Sequence, residues 1–279
     1  MKRLLYPLAM LTLLLFTAAG GMRVPADEEA APDRTLPDRI KLKLVAKHPH
    51  DPKSFCQGLV YFQGPEGRDC LWESSGRYGQ SQLRATDLHS GKVLSSLALE
   101  DRYFAEGLAL WGDLLYQLTW RERVCFTYNR DTFNKTGEFA CPFEGWGLAT
   151  GPDGLYMSDG SSTIRIVSPD DFSVTRTFAV TWRNGDNVIL LDKLNELEYI
   201  EGELWANVYQ TPCIVRIDPK TGVAFDLIDF SALVPKKFRD DTEYVLNGIA
   251  YDPAGKRLFL TGKCWPNIYE ILISVTDQE

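Results

Sequence analysis

The sequence predicts an all-β protein: a five-bladed β-propeller of four-stranded antiparallel blades, closed by an N-terminal strand. Three observations predict it. Five segments repeat one pattern, an aromatic flanked by apolar residues and followed by polar or small ones: "LWESSG" (71–76), "LYQLTW" (115–120), "LYMSDG" (155–160), "LWANVY" (204–209) and "LFLTGK" (258–263). They recur about every 40–55 residues, the spacing of a propeller blade. Finally, each is preceded by a second shared segment and followed by an alternating apolar run.

Each predicted blade reads as a meander. The first strands are "FCQGLVY" (55–61), "FAEGLAL" (104–110), "GWGLAT" (145–150), "LNELEYI" (194–200) and "VLNGIAY" (245–251). The repeated aromatic segments form the second strands. "QLRATDL", "VCFTYN", "TIRIVSP", "CIVRIDP" and "IYEILI" suit the third, and turn-forming stretches such as "DLHSG", "PDDF" and "DPKTG" follow. Helical periodicity is weak except near 233–238. A single meander cannot bury both its faces, so the five units must pack on one another in a ring. "IKLKLVAKH" (40–48) alternates well but lies outside the five units, so it is expected to supply the outer strand of the last blade. The propeller domain is placed at 38–279.

Two segments precede it. Lys2 and Arg3, then the apolar "LLYPLAMLTLLLFTAAG" (4–20), read as a signal peptide over 1–20, with an uncleaved signal anchor as the alternative. Residues 21–37, rich in Ala, Pro, Asp and Glu, read as a disordered linker. An exported protein, periplasmic or secreted, is expected, with no stable membrane insertion after cleavage. The six cysteines are compatible with disulfides in such a protein, Cys56 with Cys70 and Cys125 with Cys141 being candidates, and equally with buried free thiols. A formal charge of −8 argues against nucleic acid as a partner. "NKT" (134–136) is a glycosylation sequon only in a host that glycosylates. A closed propeller needs no partner to cover its edges, so a monomer is expected.

Function is expected on the propeller axis, which the innermost strands line. The residue before the shared glycine position gives one ring: Gln57, Glu106, Trp146, Glu196 and Asn247. Four of these five carry a side-chain oxygen, unusual for strand starts in a packed core. The sixth position of the aromatic segment gives a second ring: Gly76, Trp120, Gly160, Tyr209 and Lys263. Together they predict a pocket at one mouth of the channel, walled by Phe55, Phe104, Trp120, Trp146 and Tyr209 and holding one or two acids and a lysine. An acid held against aromatic surface loses solvation and its pKa rises, which suits a group that gives and takes protons near neutrality. No G-x-S-x-G, no Gly-rich phosphate loop and no CxxC pair is present. "HPHD" (48–51) could be imagined as a metal patch but reads better as a solvated loop.

The segments "FCQGLVY", "LWESSGRYGQSQLR", "FAEGLAL", "QLTW", "GWGLAT", "SDGSS", "LNELEYIEGELWANVYQT", "VLNGIAYD" and "TGKCWP" cover nearly everything from Phe55 to Leu272. In their order and number they closely resemble the plant- and bacterial-type (papaya-type) glutaminyl-peptide cyclotransferases, the glutamine cyclotransferase family. The resemblance implies a five-bladed propeller that cyclises N-terminal glutaminyl residues of peptides or proteins to pyroglutamate and releases ammonia. It implies Glu106, in the F-x-E-G motif, as proton shuttle. Lys263 would polarise the carbonyl, and Asn195 and Gln57 would fix the substrate's polar groups. Phe55, Phe104, Trp120, Trp146 and Tyr209 would form the aromatic wall. No cofactor or metal is implied for the reaction; a structural calcium on the axis is possible, since channels gather carbonyl oxygens. The chain departs from the family pattern at Tyr209, where the family has tryptophan, at Cys56, where it has threonine, and at Ala105, where it has glycine. Two other classes fit a propeller with such a rim: a non-catalytic binder of peptide N-termini or sugars, and a calcium-dependent hydrolase or lactonase.

Overall fold

The computed structural model describes residues 40–184 and 187–275. The predicted signal peptide and linker lie outside the described residues, as do the first and last residues of the predicted domain. Among the described residues there are strands and three short 3-10 turns, with no α-helix.

The strands form five sheets. Blade 1 is β2 (Cys56–Gln63), β3 (Asp69–Ser75), β4 (Gln82–Asp87) and β5 (Val93–Ala98). Blade 2 is β6 (Ala105–Trp111), β7 (Leu114–Thr119), β8 (Val124–Asn129) and β9 (Lys135–Ala140), and blade 3 is β10 (Leu148–Gly151), β11 (Gly154–Ser158), β12 (Thr163–Val167) and β13 (Val174–Ala179). Blade 4 is β16 (Leu194–Ile200), β17 (Glu203–Val208), β18 (Cys213–Ile217) and β19 (Val223–Asp229). Blade 5 takes β20 (Leu246–Asp252), β21 (Arg257–Gly262) and β22 (Asn267–Val275) from the end of the chain and β1 (Ile40–Pro49) from the beginning. β1 pairs antiparallel with β22 from Ile40↔Val275 to Pro49↔Asn267, so the expected closing strand is where the sequence places it.

Blade 4 differs from the expected four strands. A hairpin, β14 (Thr181–Asn184) and β15 (Asn187–Leu190), adds to its outer edge, with β14 parallel to β19 through Thr181↔Val223 and Trp182↔Ala224.

The core explains the repeat. Each apolar cluster lies between two blades, and the recurring aromatic of the second strand sits in one of them: Trp72 between blades 1 and 2, Tyr116 between 2 and 3, Tyr156 between 3 and 4, Trp205 between 4 and 5, and Phe259 between 5 and 1. All five are buried. Each aromatic thus fills the next interface, and truncating one removes packing worth about 3–5 kcal/mol. Cys56 joins the blade 5–1 cluster, as expected of a side chain directed away from Gln57. All six cysteines are free thiols. The Cys56–Cys70 pairing is precluded by register, since Cys56 faces Ser75 at one end of the β2–β3 ladder while Cys70 faces Phe62 near the other. Cys125 pairs with Phe139, placing Cys141 two residues further along the same edge.

Candidate active site

The inner strands carry the feature that builds the site. In blades 1, 2, 4 and 5 the inner ladder breaks by a β-bulge, between Cys56 and Gly58, Ala105 and Leu108, Leu194 and Leu197, and Leu246 and Ile249. Bulges re-aim side chains and interrupt pairing. The residues in them are Gln57, Glu106 with Gly107, Asn195 with Glu196, and Asn247 with Gly248. The bulge is therefore what turns the polar ring toward the axis.

Glu196 needs correction. The ring contains Gln57, Glu106, Trp146, Asn195 and Asn247; Glu196 takes the place after the ring residue that Gly58, Gly107 and Gly248 hold in blades 1, 2 and 5. The segment "LNELEYI" has no glycine, so aligning on glycine slides the register by one. A Cβ at Gly107 would lie 2.7 Å from the carbonyl carbon of Gly147, which is why that ring is otherwise glycine. The Glu196 carboxylate accepts the amides of Leu59 (3.2 Å) and Ile249 (2.8 Å), in blades 1 and 5. It ties the bulges together beneath the pocket, and burial raises its pKa well above the ordinary value.

A cavity of about 240 Å³ opens above this ring, lined by Phe55, Gln57, Phe104, Glu106, Trp120, Trp146, Asn195, Tyr209 and Lys263. These are the nine residues that the family resemblance assigns to the site. Glu106 is buried, and Gln57 Nε2 donates to its Oε1 at 2.8 Å. Asn247 Nδ2 in turn donates to Gln57 Oε1 (3.2 Å) and to the Cys56 carbonyl (2.9 Å), so the Gln57 amide has a fixed sense. Burial drives the Glu106 pKa well above 4.5; Lys263 opposes the rise, and the carboxylates of Glu122 and Glu144 add to it. Asn195 is buried, and its Oδ1 has no hydrogen-bond partner among the described residues. A buried, unpaired acceptor on a cavity wall is costly unless a ligand supplies the donor.

Lys263 closes the pocket from blade 5. Its Nζ sits over the rings of Phe55 (4.8 Å) and Tyr209 (4.9 Å). Burial lowers its pKa to about 8 despite the nearby Glu106 charge. The walls are an edge-to-face series: Phe55 on Phe104 (centroids 6.1 Å), Phe104 on Trp120 (5.6 Å) and Trp146 on Tyr209 (5.5 Å). Gly76 and Gly160, the small members of the second predicted ring, make room for this wall: a Cβ at Gly76 would overlap the Phe104 ring, and one at Gly160 would lie 2.6 Å from Trp146. Ala105 is buried with an unstrained backbone, outside the positive-φ region, so replacing the family's glycine costs no strain here.

Sequence reasoning missed the residues that hold the walls. Glu144 accepts the indole N–H of Trp120 (2.9 Å) and of Trp146 (3.4 Å) on one oxygen. Glu122 accepts the Phe104 amide (3.1 Å) and the Tyr78 hydroxyl (2.9 Å). Each acid lies two residues from a wall tryptophan, in "WRE" and "EGW", which was the available signal. The "HPHD" stretch is also corrected. His48 and His50 are buried, His48 bonded to Glu270 (2.7 Å) and His50 to Glu73 (3.0 Å) and the Trp265 carbonyl (2.6 Å). They pin β1 to blades 5 and 1 instead of forming a solvated loop. No group of three or more His, Cys, Asp or Glu residues with metal-site spacing is found among the described residues.

Known proteins match this chain and its architecture. The family model for glutamine cyclotransferase matches residues 13–273. The glutaminyl-peptide cyclotransferase of Arabidopsis thaliana is 43% identical over 234 residues, covering 83% of this chain and 71% of the plant protein. The crystal structure of Myxococcus xanthus glutaminyl cyclase superimposes with a TM-score of 0.75 at 34% identity, covering 86% of this chain and all of the bacterial one. With a matched family model spanning most of its length and a propeller of the same shape, the chain belongs to the glutamine cyclotransferase family.

Proposed function

We propose that this protein is a glutaminyl-peptide cyclotransferase that converts N-terminal glutaminyl residues to pyroglutamate with release of ammonia, without a metal, using Glu106 as proton shuttle. The observation that carries the reading is Glu106 itself: a buried carboxyl with a raised pKa and a single fixed amide donor, facing a cavity otherwise walled by rings, a lysine and an orphaned amide oxygen.

The chemistry follows from these groups. The substrate's neutral α-amine attacks the side-chain amide carbon, forming the ring C–N bond, and the former amide nitrogen leaves as ammonia. A proton must pass from the attacking nitrogen to the departing one. Glu106, held beside both, can accept and return it, which contributes roughly 10²–10⁴-fold. The aromatic walls hold the chain folded for attack, an orientation effect. Lys263 faces the carbonyl oxygen as it becomes an oxyanion, and its low charge-solvation makes that contact strong. Asn195 Oδ1 gains a donor from the substrate's amine or amide. Export of the enzyme is proposed on the basic, apolar and small-residue pattern of residues 1–20.

The test is ammonia and pyroglutamate formation from a Gln-initiated dipeptide in the presence of a chelator. Wild type is expected to turn over undiminished by the chelator. Glu106→Gln is expected to bind substrate but lose about 10³-fold or more in kcat. A folded wild type that binds the dipeptide without turnover would identify a binding propeller, and loss of turnover to the chelator would indicate a metal-dependent reaction.

A further inference from the structure

The wall of the pocket is made of flat rings that pack edge to face, Phe104 on Trp120 and Trp146 on Tyr209. Trp120 follows the second strand of blade 2 and Trp146 precedes the first strand of blade 3, and both indoles are partly exposed. An indole at a half-open site has alternative staggered rotamers. A ring that must hold a small substrate in one folded geometry needs an anchor at its polar end.

The loop between the two blades supplies it. Glu144 lies in that loop, and its Oε2 accepts both indole N–H groups, at 2.9 Å from Trp120 and 3.4 Å from Trp146. Its other oxygen lies 3.8 Å from the Arg121 Nε, and that guanidinium covers the Trp120 ring at 4.0 Å from the centroid. One face of Trp120 is thus capped by a cation whose counterion also holds the indole nitrogen. An N–H donated to a carboxylate is the stronger kind of hydrogen bond. Without Glu144, two ring donors at the mouth of the pocket would have only water.

We propose that Glu144 is the positioning residue of this active site: a single carboxylate oxygen from the blade 2–3 loop sets the angle between the two tryptophan walls and so the shape of the space that folds the substrate. This rests on the cyclase reading for its consequence in catalysis, though not for its geometry. Glu144 touches no reacting atom and acts only through Trp120 and Trp146. Because its carboxylate is also one of the charges acting on Glu106, it has a second, separable effect. Glu106 is faced by Lys263 from blade 5, by Gln57 from blade 1, and by Glu122 and Glu144 from the rim of blades 2 and 3.

Two variants separate these effects. Glu144→Ala removes both acceptor and charge. Glu144→Gln keeps an oxygen able to accept both indoles and removes only the charge. The readouts are tryptophan emission of the folded protein, the split of KM against kcat on a Gln dipeptide, and the pH–rate profile. Glu144→Ala is expected to shift the emission and to raise KM at least tenfold with a smaller change in kcat. Glu144→Gln is expected to restore both to within about threefold of wild type, an allowance for lost charge at an exposed pair. It is also expected to move the limb reporting Glu106 to lower pH, because a like charge near it is gone. Wild-type emission and KM in Glu144→Ala would overturn the proposal, and so would a Glu144→Gln enzyme as impaired as the alanine variant. The emission measurement needs no turnover, so an inactive wild type would count against the cyclase reading while the positioning claim is still decided.

Discussion

Two glutamates on neighbouring blades are both buried, and the protein treats them in opposite ways. Glu73, on β3, is surrounded by donors: Arg84 reaches Oε2 through Nε (2.9 Å) and Nη2 (2.6 Å), while His50 (3.0 Å) and Ser54 (2.5 Å) reach Oε1. These partners outweigh burial and hold its carboxyl well below the ordinary range. Glu106, on β6, has one neutral donor, more distant charges and aromatic walls, so burial wins and its carboxyl is pushed up. The difference teaches that depth alone does not make a buried acid reactive. What matters is whether the fold supplies enough donors to keep it ionised. Glu73 locks the closing segment around His50 to blade 1; Glu106 is left under-satisfied so that a substrate can complete its surroundings.

The sharpest way to break this comparison is to neutralise each acid and follow stability against pH. Glu73→Gln leaves the buried Arg84 guanidinium only the more exposed Asp51 carboxylate (2.9 Å) as counterion and should cost about 3 kcal/mol at neutral pH, the low end for a broken buried pair. Glu73 has a folded pKa below its unfolded one. Its contribution is therefore present above the unfolded value and lost as pH falls below it, so the gap between wild type and variant should narrow in acid. Denaturant unfolding at pH 7 and pH 3.5 checks this, and kcat of the folded variant should stay within about twofold of wild type, since nothing in the pocket bonds to Glu73.

Glu106→Gln should show the opposite sign. With a folded pKa above the unfolded value of about 4.3, wild type loses stability as pH rises from that value toward the folded pKa. The variant escapes that loss. It should be more stable than wild type at pH 7, with the gain vanishing near pH 4 and below. A variant less stable than wild type at pH 7 would mean that Glu106 is stabilised in its ionised form as Glu73 is.

The smallest effect sharpens the local picture beside Glu106. Ala105 has an ordinary backbone conformation and a buried side chain. Restoring the family's glycine should cost about 0.5–1 kcal/mol through the unfolded chain's entropy, with little change in activity. A stabilised Ala105→Gly variant would reveal strain at the bulge.

Much of this was legible in the sequence because propeller repeats are local. Trp72, Tyr116, Tyr156, Trp205 and Phe259 announce the blades, each filling an equivalent interface, and the alternation of 40–48 announces the closing strand. The pocket residues were legible because they recur at the same offset in successive blades, with the family resemblance supplying Asn195. Where the repeat lapses, the reading lapsed too. "LNELEYI" lacks the register-marking glycine, so Glu196 was placed where Asn195 belongs. The β14–β15 hairpin has no counterpart in the other blades. The Glu73 network draws on His50, Ser54, Glu73 and Arg84 from separate segments, and no linear pattern joins them. Glu144 sits in a loop, where an acid ordinarily signals only solvent.

The most direct test of the central claim is the titration of the Glu106 carboxyl itself, by infrared or carbon-13 difference between wild type and Glu106→Gln across pH. Buried Glu196 is common to both proteins and cancels. The account predicts a carboxyl, absent from the variant, whose midpoint lies well above the 4.5 of a solvated glutamate. A midpoint at or below that value would contradict it, because a fully ionised, well-satisfied Glu106 would be a second Glu73 rather than a proton shuttle.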